Sequence, residues 1–169
     1  MNLFDETKFI LKKYGISANK SLGQNFLINK GIIEKIVQTA NLSKDDYVIE
    51  IGPGLGSLSE YLCLNAKKVI CFEIDDLMVK ILKDTLSKYD NVLIVEGDFL
   101  KQDVKKYIEE YFEADAKVKV VANLPYYITT PILSKLLKID NIIEETFMVQ
   151  KEMGERFIGK VNTKDYNAL

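Results

Sequence analysis

The sequence predicts an α/β fold in which an open, doubly wound sheet of parallel strands carries helices on both faces. Short apolar runs alternate with longer segments of helical periodicity along nearly the whole chain, as is typical of parallel strands joined by crossover helices. A glycine-rich turn follows the first apolar run of this series, at a place where such sheets bind ligands. Intervals of 21, 25 and 25 residues, about one strand–helix unit each, also separate four positions that follow apolar runs: Gly52, Glu73, Asp98 and Asn123.

Composition limits the classes of function. The chain has 169 residues, the length of one domain, with 47% apolar and 28% charged residues, which is ordinary for a globular protein. It contains no histidine, which excludes Ser-His-Asp catalysis, Cys-His catalysis and histidine-ligated metal sites. Cys63 and Cys71 lie in apolar surroundings without redox or metal-ligand spacing. We therefore expect reduced core cysteines in a cytoplasmic protein.

Charge and the N-terminal residues add further expectations. The segment from Met1 to Glu6 lacks the basic region and apolar core of a signal peptide, and no apolar run approaches membrane-spanning length. The net charge of −2 gives no support for nucleic-acid binding. Residues 1–40 nevertheless hold six lysines against three acids. These lysines suit phosphate contacts or, as the simpler interpretation, form the solvated side of a helix.

The first 40 residues are expected to form a helical N-terminal extension. Asp5 is a candidate N-cap for its first helix and Gly15 a candidate stop, while Asn29 is suited to cap the second helix. The predicted elements of this part are a helix over 5–14, a loop over 16–28 and a helix near 30–40.

Residues 41–169 are expected to form the sheet domain. Apolar runs rich in β-branched residues predict buried strands, and the segments between them have helical periodicity. Thr130 would cap the helix after the fourth strand, with Pro131 in its first turn. Two helices each show one apolar stripe, Met78, Ile81, Leu82 and Leu86 in one and Val104, Tyr107, Ile108 and Tyr111 in the other. The predicted strands are 47–51, 68–73, 92–95, 118–122 and 145–149, and the other predicted helices are 57–66, 76–88, 100–112 and 151–158.

The sheet domain is expected to be incomplete. An open doubly wound sheet usually continues past five strands, and a fifth strand left at the edge would be bare. We therefore expect further strands beyond Leu169.

The glycine-rich turn suits one nucleotide-derived cofactor better than another. The dinucleotide pattern G-x-G-x-x-G, begun at Gly52 or Gly54, requires glycine where Ser57 or Ser59 stands. The spacing G-x-G-x-G, completed by Gly56, instead matches S-adenosylmethionine sites, in which no pyrophosphate is cradled. The alternative is an ordinary tight turn between strand and helix.

Two acidic residues at later strand ends are candidate cofactor ligands. Glu73 follows the turn by about 20 residues, where an acid accepts hydrogen bonds from ribose hydroxyls. Glu73 or Asp75 could instead cap the next helix, although Asp76 is also available for that role. Asp98 could accept a hydrogen bond from the adenine amine, could cap the next helix, or could do both.

The tetrad Asn123-Leu124-Pro125-Tyr126 follows the fourth predicted strand. It offers two hydrogen-bond acceptors and an aromatic face within four residues, and a flipped adenine needs both. The alternative is a strand that ends in a proline turn with a half-buried Tyr126.

Together these motifs resemble the ribosomal RNA adenine dimethyltransferase family, and most closely its bacterial small-subunit members. The resemblance covers nearly the whole chain. It is carried by Lys20–Leu27, Glu50–Gly56, Phe72–Asp75, Gly97–Asp98, Asn123–Thr129 and Val149–Glu152.

The resemblance implies a Rossmann-like methyltransferase sheet, S-adenosylmethionine as cofactor, and a loop over 16–28 that covers the cofactor. It also implies a helical C-terminal domain, absent from this sequence, that helps to grip RNA. The positions that match the family's cofactor ligands are Asn25, Leu27, Gly52, Gly54, Glu73, Asp98 and Asn123.

The implied reaction is attack by the adenine amine on the sulfonium methyl group, with Asn123, Leu124 and Tyr126 as catalytic residues. The implied substrate is a pair of adjacent adenines near the 3′ end of small-subunit ribosomal RNA, in the RNA or in the small-subunit particle, with no membrane and no metal involved. Three alternatives stay open. They are a large-subunit methyltransferase of the macrolide-resistance type, a nicotinamide-dependent dehydrogenase, and a non-catalytic ribosome assembly factor.

Overall fold

The computed structural model describes residues 2–16, 27 and 29–158. Within them, five parallel strands form one sheet in the order β3-β2-β1-β4-β5. The strands are β1 Tyr47–Ile51, β2 Lys68–Glu73, β3 Val92–Glu96, β4 Val118–Asn123 and β5 Ile142–Met148. The helices are α1 Leu3–Lys13, α2 Lys30–Thr39, α3 Ser57–Asn65, α4 Asp76–Thr85, α5 Val104–Tyr111, α6 Tyr126–Leu136 and α7 Lys151–Phe157, with a 3₁₀ turn at Phe99–Lys101.

Helices cover both faces of the sheet, as predicted. The central strands β1 and β4 are buried on both sides, and for this reason their sequences are mainly apolar, with Glu50 and Lys119 as buried charged exceptions. On one face the sheet packs against α5 and α6, with Ile108 and Ile132 fully buried there. On the other face it packs against α2 and α3 through Ile33 and Leu62. A smaller cluster joins α1 to α4 around Met78.

The N-terminal helix begins earlier than predicted. Asn2 caps α1 by accepting a hydrogen bond from the Asp5 N–H (2.9 Å), so the assignment of Asp5 as N-cap is wrong. Gly15 ends the helix as expected, with a left-handed φ of 65°. Asn29 caps α2 as predicted, with its side chain accepting from Gly31 and Ile32.

The prediction for the start of α6 is wrong by five residues. Pro125 is the N-cap and Tyr126 the first helical residue, so Thr130 and Pro131 lie inside the helix. The Thr129 hydroxyl donates to the Pro125 carbonyl (3.0 Å), which closes the first turn. Proline is tolerated at the start of a helix because no N–H is needed there. This preference applies equally to Pro125 and Pro131, so the sequence alone does not show which of them marks the start of the helix.

Other helix boundaries also differ. The helix predicted over 100–112 is divided, because the 3₁₀ turn ends at Lys101 and Asp103 caps α5 by accepting from the Lys106 N–H (3.3 Å). The helix predicted over 76–88 ends at Thr85. The first four strands and the remaining helices agree with the prediction to within a residue or two, and β5 begins three residues earlier than expected, at Ile142.

Both cysteines are buried and unpaired, as predicted. Burial raises the pKa of the Cys63 thiol to about 12 and that of Cys71 well above its ordinary value. In the described part of the chain, no helix is both long and apolar enough to cross a lipid bilayer.

One nearly buried lysine ties the end of α2 to the sheet. The Lys119 ammonium on β4 donates to the carbonyls of Asn41 (2.8 Å) and Ala40 (3.3 Å) and lies 3.3 Å from the Asp46 carboxylate. Only 11% of its side chain is exposed. These contacts compensate the desolvation of the charge.

We expect Lys119→Met to lower the free energy of unfolding by about 2 kcal/mol, because it leaves one buried and one partly buried carbonyl without their donor. Urea unfolding measures the change. Lys117→Met, at an exposed position two residues earlier in the chain, is the matched control and should change the free energy of unfolding by less than about 0.5 kcal/mol. Equal effects of the two substitutions would contradict this role of Lys119.

Candidate active site

The strand order brings the four predicted positions to one edge of the sheet. Because β1 lies between β2 and β4, the ends of these three strands are neighbours. Ile51 pairs with Phe72 on one side and with Ala122 on the other. Gly52, Glu73 and Asn123 are therefore the next residues on three adjacent strands.

Asp98 joins this edge through β3. The Gly97 N–H donates to the Glu73 carbonyl (2.8 Å), so the turn that carries Asp98 begins beside the end of β2. At Gly97, φ is +130°, and a Cβ would lie 2.5 Å from Gln102 Nε2. A side chain at position 97 would therefore force the end of the Gln102 side chain to move and would strain the backbone of this turn.

The glycine turn is built from left-handed backbone. Gly52, Gly54 and Gly56 have φ values of 68°, 59° and 88°, a region that side chains make costly. A Cβ at Gly56 would also lie 3.0 Å from the Leu82 side chain. The backbone therefore changes direction within a few residues. Gly56, which has no side chain, is the N-cap of α3.

The Glu73 carboxylate holds this turn in place. It is 4% exposed, and its Oε2 accepts from the Gly54 N–H (3.0 Å) while Oε1 accepts from the N–H groups of Ile74 (2.8 Å) and Asp75 (3.0 Å). An ionised carboxylate has about four acceptor positions. Glu73 therefore fixes two loops and keeps capacity for about one further donor.

Asp75, and not Asp76, caps α4. The Asp75 carboxylate accepts from the N–H groups of Leu77 (2.9 Å) and Met78 (3.1 Å), and Asp76 is the first helical residue. The interpretation that Asp76 could take the capping role is therefore wrong, and of the two alternatives, Glu73 and Asp75, it is Asp75 that caps the helix.

Asp98 has the capping role that the sequence left open. Its Oδ1 accepts from the Leu100 N–H (2.9 Å) at the start of the 3₁₀ turn, and its Oδ2 lies 3.7 Å from the Lys101 ammonium. The side chain is 24% exposed, so Asp98 can cap the turn and still present an acceptor to a ligand.

The Asn123–Tyr126 segment lies at the same edge of the sheet, on the opposite side of β1 from Glu73. Asn123 is the last residue of β4 and is partly exposed, whereas Leu124 is buried and donates its N–H to the Met148 carbonyl (3.0 Å). Tyr126 begins α6, but its side chain lies outside what the structure describes.

The predicted covering loop is largely outside the described residues. Asn25 is among the residues not described, and its contact with a cofactor stays a prediction. Leu27 is described and is partly buried against the core shared by α2 and α3. Its role as a cofactor ligand also stays a prediction.

Two features of the site were not expected from the sequence. Ile74 is 64% exposed directly after Glu73, where it offers an apolar surface at the edge. The sequence feature that could have indicated this surface is an isoleucine between two acidic residues at the end of a predicted strand. Glu50, in contrast, is fully buried before the glycine turn, and its carboxyl lies 3.5 Å from Cys71 Sγ. Burial raises the pKa of Glu50 to about 7.

Among the residues that the structure describes, no group of three or more Cys, Asp or Glu side chains is arranged to hold a metal ion. The site therefore offers hydrogen-bond acceptors, bare main-chain amides and apolar surface.

The chain is similar to known proteins in sequence and in fold. The family model for "Ribosomal RNA adenine dimethylase" matches residues 15–169. The chain is 51% identical over 167 residues to the ribosomal RNA small subunit methyltransferase A of Leuconostoc mesenteroides, which covers 96% of this chain and 56% of the relative. It thus spans about half the length of the curated relatives that it matches.

Two solved structures share the fold. A dimethyladenosine transferase from Plasmodium falciparum has a TM-score of 0.69 and 32% identity, over 82% of this chain and 48% of that one. The 23S rRNA methyltransferase ErmE has a TM-score of 0.66 and 31% identity, over 84% of this chain and 52% of that one. The α/β fold with a parallel sheet is therefore that of RNA adenine methyltransferases.

The raised pKa of Glu50 predicts a pH-dependent stability. The folded protein keeps this proton up to about pH 7, whereas the unfolded chain releases it near the ordinary pKa of 4.5. The stabilisation that this difference in pKa gives to the folded protein is therefore fully present below pH 4.5. As the pH rises to 7, about 3 kcal/mol of the free energy of unfolding is lost.

We expect the free energy of unfolding of the wild type, relative to Glu50→Gln, to fall by that amount between pH 4.5 and 7 in urea titrations. Glu109→Gln, at an exposed position, is the control for the loss of a surface carboxylate and should change the free energy of unfolding by less than about 0.5 kcal/mol. A constant difference for Glu50→Gln would mean that Glu50 is ionised in the folded protein.

Proposed function

The chain belongs to the ribosomal RNA adenine dimethylase family, and from this premise we propose that it transfers methyl groups from S-adenosylmethionine to the exocyclic amine of adenines in small-subunit ribosomal RNA. The proposed targets are two adjacent adenines near the 3′ end of that RNA, and their dimethylation would contribute to ribosome biogenesis. The partners would be this RNA and the small-subunit particle, in the cytoplasm. No membrane and no metal ion enters the proposal.

The observation that carries the proposal is the position of Asn123. It ends β4, which lies next to β1 and its glycine turn beginning at Gly52, while Glu73 ends β2 on the other side of β1. A group that binds the substrate amine and a turn suited to a cofactor therefore share one edge of the sheet, as methyl transfer requires.

The residues at this edge fit the polar groups of the cofactor. Left-handed glycines allow a ligand to approach the main chain at Gly52 and Gly54. Glu73 retains acceptor capacity for a ribose hydroxyl, and Asp98 retains an oxygen for the adenine amine. The exposed side chain of Ile74 offers an apolar contact for a ring.

The proposed chemistry depends on position and electrostatics. When bound, S-adenosylmethionine supplies an electrophilic sulfonium methyl group. An adenine amine is a poor nucleophile because its lone pair is delocalised into the ring. Asn123 Oδ1 and the Leu124 carbonyl accept its two N–H bonds and so favour a tetrahedral nitrogen, while Tyr126 stacks on the base. An amide oxygen is not a strong base, so the displaced proton leaves to water.

The main alternative is methylation of large-subunit RNA. The higher identity to small-subunit relatives than to the 23S rRNA enzyme favours the small subunit. A purely non-catalytic assembly factor would not need the Asn123–Tyr126 segment, although an enzyme can also serve in assembly. A nicotinamide-dependent dehydrogenase is disfavoured by Ser57 in the glycine turn.

We expect Asn123→Ala in the full-length protein to lower methyl transfer at least about 100-fold, because the amine loses a directed acceptor. The affinity for S-adenosylmethionine, measured by calorimetry, should weaken only modestly, by about threefold. Near-normal turnover in this variant would refute the assignment of Asn123.

The substrate is tested with labelled S-adenosylmethionine and the full-length protein. Small subunits that lack the modification should accept up to four methyl groups, two on each adenine, whereas naked large-subunit RNA should remain unlabelled. Label in the large-subunit RNA alone would select the alternative. Cofactor binding without transfer to either would select an assembly factor.

A further inference from the structure

A single lysine fastens the turn that carries Asp98 to helix α6. The Lys135 ammonium donates to three main-chain carbonyls, those of Phe99 (2.7 Å), Leu100 (3.0 Å) and Gln102 (2.5 Å). An ammonium has three N–H donors. All three are therefore directed at one short turn.

The hydrogen bonds of this lysine reach Asp98 through one peptide group. The Phe99 carbonyl and the Leu100 N–H belong to the same peptide plane. The carbonyl accepts from Lys135, and the N–H donates to Asp98 Oδ1 (2.9 Å). The orientation of the plane is thus held from both sides, and the two bonds polarise each other.

Apolar packing holds the same turn from below. The buried Phe99 ring meets Phe72 edge-on at a centroid distance of 5.2 Å, and the Lys135 ammonium lies 5.2 Å from the Phe99 centroid. The lysine is only partly exposed, and burial lowers its pKa, while the nearby charges of Asp98 and Asp103 act in the opposite direction. The carbonyls compensate the desolvation of its charge.

The position of Lys135 on α6 connects the two halves of the site. Helix α6 begins at Tyr126, three residues after Asn123, and Lys135 lies in its last turn. One helix therefore starts at the segment assigned to the substrate and holds, near its other end, the turn assigned to the cofactor. A displacement of the Asp98 turn relative to α6 would break the Lys135 contacts.

We propose that Lys135 is a positioning residue for cofactor binding, which orients the Asp98 carboxylate through the Phe99–Leu100 peptide. This inference rests on the proposed function, because Asp98 is a cofactor ligand only there. Lys135 itself does not touch the reacting atoms, so its removal should weaken the affinity for the cofactor more than it slows methyl transfer at saturation.

The test compares the full-length wild type with Lys135→Met, which keeps the length of the side chain but removes its donors. We expect the dissociation constant for S-adenosylmethionine, and the KM for it, to rise about tenfold, while kcat at saturating cofactor stays within about twofold. Lys135→Arg keeps the charge and the donors and should restore the affinity to within about threefold of the wild type.

Two controls separate positioning from general stability. Lys138→Met, at an exposed position just after α6, should leave the affinity unchanged. Lys119→Met should lower the melting temperature without a change in affinity, since Lys119 lies at the opposite end of β4 from Asn123. An equal loss of affinity in Lys119→Met and Lys135→Met would overturn the inference.

The outcomes also distinguish this inference from the proposed function. A wild type that does not bind S-adenosylmethionine would refute the proposed function. A wild type that binds it, together with unchanged affinity and KM in Lys135→Met, would refute the role of Lys135 alone. If Lys135→Met does not fold, Lys135→Gln is measured against the same criteria.

Discussion

The hydrogen bonds of one buried carboxylate organise the edge of the sheet at which the candidate site lies. Glu73 accepts hydrogen bonds from N–H groups of the glycine turn after β1 and of the loop after β2. It therefore joins two loops that are about 20 residues apart in the chain. Without it, three partly buried main-chain amides would lose their acceptor, which is costly. The same carboxylate is the predicted acceptor for a ribose hydroxyl. Its structural bonds leave it limited spare capacity, so they restrict how a ligand can contact this edge.

The chemistry available at the edge is that of positioning. The sequence contains no histidine, and the carboxylates of Glu73 and Asp98 are both engaged with main-chain N–H groups. What the site offers is an amide acceptor at Asn123, acceptors at two further strand ends and bare backbone between them. Such a set suits a reaction in which two bound molecules must be aligned and no strong base is needed.

Two lysines have comparable structural roles in different parts of the domain. Lys119 and Lys135 each direct an ammonium at main-chain carbonyls where a helix or turn ends. Carbonyls at such ends lack intrahelical donors and carry partial negative charge. Lys119 joins α2 to the sheet, and Lys135 joins the Asp98 turn to α6. Each lysine fixes an element whose own hydrogen bonds would leave its end unsupported.

The sequence alone predicts those features that depend on residues close together in the chain. The strands, the glycine turn, the cap at Asn29 and the spacing of Gly52, Glu73, Asp98 and Asn123 follow from local periodicity and side-chain type. The start of α6, the choice of Asp75 as cap and the division of the helix predicted over 100–112 did not follow, because several nearby residues satisfy the same local rule and only packing selects one. The order β3-β2-β1-β4-β5, the burial of Glu50 and the grip of Lys135 on the Asp98 turn join residues far apart in the chain. They became fixed only when the folded chain removed these groups from water, since desolvation depends on what surrounds a residue in space and not on its neighbours in sequence.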